Sequence, residues 1–177
     1  MPLCFAYGSN MDRSATAARC PGSRPLGPAR LTRHRLAITR EGYLTVVRDP
    51  RRTVHGLLWD VPLADMSALD RYEGAASRLY VKAQLRVLAD DGPRAALVYL
   101  GRNDGPGVPR PGYLEVVVAA ARDLQLPDDY VRDLAALSPT ASRATPEAGL
   151  GRPAVTPRRR TPLDREPDRL AGWRWSP

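Results

Sequence analysis

Lysine is nearly missing from this chain. Of 27 basic residues, Lys82 is the one lysine and the other 26 are arginine. With Ala, Gly and Pro also abundant, this bias is what a G+C-rich coding sequence tends to produce, so the formal charge of +8 is not by itself a nucleic-acid signature. Cysteine is scarce too. Cys4 and Cys20 form no Cys-x-x-Cys pair, and only His34 and His55 stand beside them, so a zinc site is not expected. Both cysteines read as small buried apolar side chains, with a redox-sensitive Cys4 thiol as the sharper reading. No apolar run approaches the roughly 18 residues of a membrane helix. No charged-then-apolar leader precedes the first strand, so the expectation is a cytoplasmic protein without a membrane partner.

What is present suits one domain of ordinary size in 177 residues. A short apolar run, Leu3 to Tyr7, reads as a buried strand that breaks at Gly8, with a helix-like stretch from Asn10 to Ala18. Segment 28–61 alternates as strands do, with candidates at Leu36–Ile38, Leu44–Val47 and Thr53–Val61, and with turns at Gly42 and Asp49-Pro50. Residues 63–72 carry Leu63, Met66, Leu69 and Tyr72 at three-residue spacing, a narrow helical stripe with Gly74 as its C-terminal residue. Strands follow at about 79–88 and 94–100. A Gly/Pro-rich loop reaches Gly112. An amphipathic helix then opens at Tyr113 with Val116, Val117, Ala120, Ala121 and Leu124 apolar. Pro127 starts a last short helix with Val131, Leu134 and Leu137 inward. This order lacks the regular alternation of a doubly wound sheet. It predicts an α+β fold, a small mixed β-barrel with surrounding helices, over residues 1–137.

Residues 138–177 differ. They hold seven of the 18 prolines, eight arginines against four acids, and the Arg158-Arg159-Arg160 run. Disorder is expected there, with a docking segment at 170–175, where Trp173 and Trp175 are costly to leave in water.

A strand turning sharply into a helix aims backbone N–H groups at one spot, with the helix N-terminus behind them. Tyr7-Gly8-Ser9-Asn10 is such a turn, a seat for a carboxylate or oxyanion, in which Gly8 permits close approach. The string resembles the Tyr-Gly-Ser-Asn motif of the gamma-glutamylcyclotransferase-like family, which includes the avirulence-induced-gene-2-like proteins of plants. Further motifs agree in order. Leu69-Asp70-Arg71-Tyr72-Glu73-Gly74 is similar to the family's Leu-Asp-x-x-Glu-Gly signature, and Tyr80 opens the next strand as the family's tyrosine does. Pro109-Arg110-Pro111-Gly112-Tyr113 looks like its Pro-x-Pro-x-Tyr sequence, and Val54 to Trp59 like its Val-x-Gly-x-Leu-aromatic strand. The resemblance spans residues 3–137. It implies catalytic Glu73, substrate contacts from Tyr7, Gly8, Ser9, Asn10, Tyr80 and Tyr113, and the family's barrel. Asn10 in the loop's last position, rather than leucine, disfavours the glutathione-specific branch of the superfamily.

The activity so implied is cyclisation of a gamma-glutamyl amide to 5-oxoproline with release of an amine. The attack is intramolecular, so orientation and proton transfer suffice and no cofactor is needed. One carboxylic acid can take the ammonium proton and return it to the leaving amine. A reference Glu near 4.3 facing an α-amino group near 7.7–8.0 would lift that proton by roughly 3.5 units, about 5 kcal/mol. Burial can close the gap, which predicts Glu73 in a partly buried pocket with a raised pKa. The partner is then a small gamma-glutamyl compound whose amine is an amino acid, a lysine side chain or a biosynthetic intermediate.

Blander readings stand beside these. Ser9 lacks the setting of a nucleophile. Ser9 or Asp12 can simply cap a helix, Asp70 faces solvent or supports the turn, His55 is structural, and the tyrosines are core aromatics. The rival function is a non-catalytic module binding nucleic acid or an acidic protein through the basic tail. Asp164, Glu166 and Asp168 interrupt that tail, and a nucleic-acid partner is not expected.

Overall fold

A computed structural model describes residues 2–73 and 79–138. Gly74 and, apart from Ser138, the basic tail with its 170–175 segment lie outside the described residues. Five strands form a closed barrel: β1 (Leu3–Ala6), β2 (Arg24–Ile38), β3 (Leu44–Asp60), β4 (Tyr80–Ala89) and β5 (Gly92–Gly101), in the order β1-β3-β2-β4-β5. β1 meets β5 in parallel, Cys4 opposite Leu97, and every other pairing is antiparallel. The mixed barrel matches the sequence expectation, and it closes through short seams, β2 to β4 at Ala29 and Arg30 and β1 to β5 at Cys4. Four helices accompany it: α1 (Arg13–Arg19), α2 (Leu63–Tyr72), α3 (Tyr113–Asp123) and α4 (Asp128–Ala135). Among the described residues no helix is long and apolar enough to cross a membrane.

The core joins inward side chains of the barrel, such as Phe5, Leu31, Leu57, Val87 and Val98, to Leu114, Val117 and Ala121 of α3 and Val131 and Leu134 of α4. Val116, expected on the apolar stripe, is instead exposed. Leu114, Val117, Val118 and Ala121, spaced three and four positions from one another, fill the buried face of α3, and Val116 falls beside it.

Three differences from the sequence reading bear on the site. First, the stretch after Gly8 is not one helix. A 3₁₀ turn, Ser9–Met11, comes first, and Asp12 then starts α1 by accepting the Ala15 N–H at 3.0 Å. Second, Asp49-Pro50 does not separate two strands. β3 runs through it, with residues 49–52 looped out opposite Arg33 where the β2–β3 register shifts. The local turn is real, since Asp49 Oδ1 accepts the Arg51 N–H at 3.0 Å. Pro50, with no N–H for a ladder, is tolerated in the bulge. Third, the α2 stripe is shorter than its spacing suggests, because Leu63 and Tyr72 are exposed and Leu69 is the residue fully packed.

With one buried anchor, α2 depends on polar ties. Near its start, Asp65 Oδ2 accepts the Gly22 N–H at 2.9 Å and the Ser23 hydroxyl at 3.3 Å. These bonds fix α2 to the connection between α1 and β2. Gly56 places the opposite wall. A Cβ there would stand 2.1 Å from the Ala6 carbonyl oxygen, so β1 can lie against β3 and hand the chain into the Tyr7–Asn10 loop only because that atom is missing.

Candidate active site

The loop after β1, the end of α2, the starts of β4 and α3, and Tyr99 of β5 enclose a cavity of about 180 Å³. All seven residues singled out from the sequence line it: Tyr7, Gly8, Ser9, Asn10, Glu73, Tyr80 and Tyr113. Cys4, Leu44, Tyr43, Tyr72 and Tyr99 complete much of the wall.

Glu73 sits at the C-terminal end of α2, partly buried, its N–H on the Leu69 carbonyl at 3.0 Å. Asn10 Nδ2 donates to Glu73 Oε1. Burial pushes the carboxyl up to about 7, while the Arg19 charge and the Asn10 bond pull in the other direction. The expected pocket and direction of shift are both present.

Asn10 is itself held at several points. Its carbonyl accepts the Trp59 indole N–H at 3.0 Å and the Thr16 hydroxyl at 3.2 Å, and its Oδ1 accepts from Arg19. The 3₁₀ turn consumes the N–H groups of Met11, to Gly8 at 2.9 Å, and of Asp12, to Ser9 at 3.2 Å. The N–H groups of Ser9 and Asn10 have no acceptor among the described residues, and both residues line the cavity. Two unspent donors beside a carboxylic acid suit an anionic or carbonyl oxygen. The Ser9 hydroxyl is 3.1 Å from that of Tyr72 at the rim.

The tyrosines differ in what their hydroxyls can still do. Tyr7 is buried and donates to the Tyr99 carbonyl, so it offers the cavity its ring. Tyr80 donates to the Leu44 carbonyl at 2.8 Å. Tyr113 accepts the Leu44 N–H at 3.2 Å and keeps its own proton to donate. Burial raises the pKa of all three well above the ordinary tyrosine value, so they are neutral donors. Gly8 is small for a local reason. A Cβ there would lie 2.9 Å from the Tyr113 hydroxyl oxygen.

Asp70 corrects an expectation. It is half-buried and does more than face solvent or support the turn: Tyr99 donates to its Oδ1 at 2.6 Å and Lys82 to its Oδ2 at 2.9 Å. It therefore ties α2, three residues before Glu73, to β4 and β5. Arg19 and Tyr72 were also missed. The Arg19 guanidinium lies 3.7 Å from the centre of the Tyr72 ring. The Leu69–Gly74 signature contains Tyr72, but nothing in it marks the pairing with Arg19, which comes from the packing of α1 against α2. Of the blander readings, Asp12 does cap α1. His55 is structural, its ring packing on Tyr130 and its carbonyl accepting the Tyr130 hydroxyl at 2.9 Å. Both cysteines are buried, and burial pushes the Cys4 thiol up to about 12, so at neutral pH it is a thiol and not a reactive thiolate.

Comparison with known proteins points one way. The model of the AIG2-like family matches residues 53–134, the stretch that carries Glu73, Tyr80 and Tyr113. The human gamma-glutamylcyclotransferase is 28% identical over 148 residues, covering 77% of this chain and 79% of that protein. The mouse protein of the same name is 29% identical over the same shares. A solved gamma-glutamyl cyclotransferase structure superposes with a TM-score of 0.72 at 27% identity, covering 78% of this chain and 88% of its own. The motif order, the barrel and the relatives agree: the chain is similar to AIG2-like proteins and to gamma-glutamylcyclotransferases over most of its length.

Proposed function

We propose that this protein converts a gamma-glutamyl amide into 5-oxoproline and a free amine, with Glu73 as the single acid and base. The observation that carries the reading is the Glu73 carboxyl, raised to about 7 beside a loop with two unspent N–H donors. From that value the proton of an α-ammonium near 7.7–8.0 has less than one unit to climb, about 1 kcal/mol, against about 5 for an ordinary Glu.

The steps balance with no external reagent. Glu73 as carboxylate removes a proton from the substrate's α-ammonium. The freed amine attacks the γ-carbonyl carbon of the same molecule, and the carbonyl electron pair moves to oxygen. The N–H groups of Ser9 and Asn10 and the Tyr113 hydroxyl, all on residues that line the cavity, are the donors we assign to that oxygen. When the oxyanion collapses, the bond to the leaving nitrogen breaks and Glu73 returns its proton there; as carboxylate again it takes the second proton from the ring nitrogen and passes it to the released amine, which leaves as its ammonium. The five-membered lactam departs. Tyr7, Tyr80 and Tyr99 wall the reaction from water, and orientation of a reaction already intramolecular provides much of the acceleration.

The test is incubation with gamma-glutamyl amino acids, gamma-glutamyl-ε-lysine and other gamma-glutamyl amides, scored for 5-oxoproline by mass spectrometry. Wild type should release product from at least one class, and Glu73→Gln should lose roughly 10²-fold or more while keeping its circular dichroism spectrum. Equal release by both proteins would remove Glu73 from the chemistry.

A further inference from the structure

Arg19 stands outside the cavity lining, yet three features converge on it. It is half-buried at the end of α1, its guanidinium is stacked on Tyr72, and it donates to Asn10 Oδ1 while the other end of the same amide donates to Glu73 Oε1. The Asn10 amide is therefore held between a partner that can only donate and one that, as carboxylate, can only accept. With Arg19 in place, Nδ2 must face Glu73. Without it, rotation about the terminal bond would turn Oδ1 toward the carboxyl, an arrangement suited to protonated Glu73 and hostile to the carboxylate.

We propose that Arg19 is a positioning residue for the reaction: through Asn10 it holds Glu73 Oε1 as an acceptor, so that Oε2 is the oxygen that carries the proton. The inference rests on Glu73 being the acid and base. A general acid that exchanges its proton between two substrate nitrogens works best if the proton always sits on the same oxygen, facing the substrate. A fixed donor on the other oxygen provides this. The stack on Tyr72, whose hydroxyl meets Ser9, ties the device to the loop from the other side.

The same contact sets the charge state. The titratable groups around Glu73 are Cys4 on β1, Tyr7 after it, Tyr80 on β4, Tyr99 on β5 and Tyr113 opening α3, with Asp70 one turn back on α2. All are neutral or negative at neutral pH. Arg19 is the one cation acting on Glu73 among the described residues. The positive charge of Arg19 favours the ionised carboxyl and so pulls its pKa down. Arg19 thus limits how far burial can raise Glu73 and keeps part of it ionised, as its first task requires.

The experiment pairs a direct titration with kinetics. The Glu73 carboxyl carbon is followed by ¹³C NMR in substrate-free protein, assigned by its loss in Glu73→Gln, and kcat and KM are measured across pH. Arg19→Met should raise the Glu73 midpoint by about one unit, move the acidic limb of kcat to higher pH by a similar amount, and change KM little. Arg19→Lys keeps the charge without the planar fork, so it should shift the midpoint less yet still lower kcat. It also serves as the test protein if the methionine variant folds poorly. An unmoved Glu73 midpoint and pH limb with a large rise in KM would overturn the proposal and make Arg19 a substrate-binding group. The titration reads the Arg19–Asn10–Glu73 linkage even if Glu73→Gln retains activity, so failure of the catalytic reading and failure of this inference are separate results.

Discussion

Asn10 and Glu73 lie 63 positions apart and are joined by a direct hydrogen bond, amide to carboxyl. One belongs to a 3₁₀ turn after the first strand and the other to the end of α2. Only the closed barrel brings the two elements together. The bond converts two separate sequence motifs into one site, and it favours the ionised Glu73 that burial disfavours.

The balance between burial and partners has a consequence for stability. Glu73 has a folded value of about 7 against an ordinary value of 4.5. The folded state therefore binds its proton more tightly than the unfolded chain does. The stability this contributes is fully present below about 4.5 and is lost as pH rises through about 7. The shift corresponds to an upper bound of about 3 kcal/mol at 1.36 per unit, less because the side chain keeps some contact with solvent. Glu73→Gln stays neutral and can still accept from Asn10. Urea unfolding should find the two proteins equal near pH 4.5 and the variant more stable by about 1–3 kcal/mol near pH 8. A difference that does not vary with pH would mean the carboxyl titrates normally.

Asp70 supports the same helix by charge. Burial alone would raise its carboxyl, but the Tyr99 hydroxyl and the Lys82 ammonium outweigh it and hold the value below the ordinary one. The sign is opposite to that of Glu73: this contribution is present above the unfolded value of 3.8 and disappears as pH falls through the folded one. Asp70→Asn keeps the shape and loses the charge. At pH 7 it should cost about 1–3 kcal/mol, the scale of hydrogen bonds to a charged group, and the deficit should shrink in acid. A change within about 0.5 kcal/mol, as for an ordinary surface substitution, would return Asp70 to the solvent-facing role its sequence context suggests.

How far the sequence reaches is visible in these two carboxylates. Glu73 is legible because it belongs to an ordered set of motifs. The strands and helices around it are legible because their apolar residues recur at periods of two and 3.6. Asp70 is not legible, since its partners Tyr99 and Lys82 sit on strands whose register depends on closure. Arg19 escapes because its contacts with Asn10 and Tyr72 are set by tertiary packing, and Tyr72, although it lies in the Leu69–Gly74 stretch, carries no local sign of its pairing with Arg19. The Asp49-Pro50 reading shows a different limit. The dipeptide does signal a local turn, but a long antiparallel hairpin can absorb it as a bulge and continue. Leu63 and Val116 show a third, because an apolar residue at helical spacing is buried only where the tertiary structure provides something to cover it.

Gly8 and Tyr113 allow the proposed oxyanion donor to be tested by substitution. The Gly8 backbone has a negative φ, −119°, so it does not need glycine for a left-handed conformation. Its one obstacle is the Tyr113 hydroxyl oxygen, 2.9 Å from the new Cβ. Gly8→Ala should therefore act by displacing that hydroxyl. If the hydroxyl stabilises developing charge, displacing or deleting it should cost on the order of 10²-fold in kcat, the scale seen when one such donor is removed. Tyr113→Phe deletes the oxygen and with it the obstacle. The double variant should then be no worse than Tyr113→Phe alone, a coupling that independent sites do not show. Losses that multiply would mean that Gly8 serves the substrate directly and that Tyr113 is a wall residue. Full activity in Tyr113→Phe would leave the Ser9 and Asn10 N–H groups as the oxyanion donors.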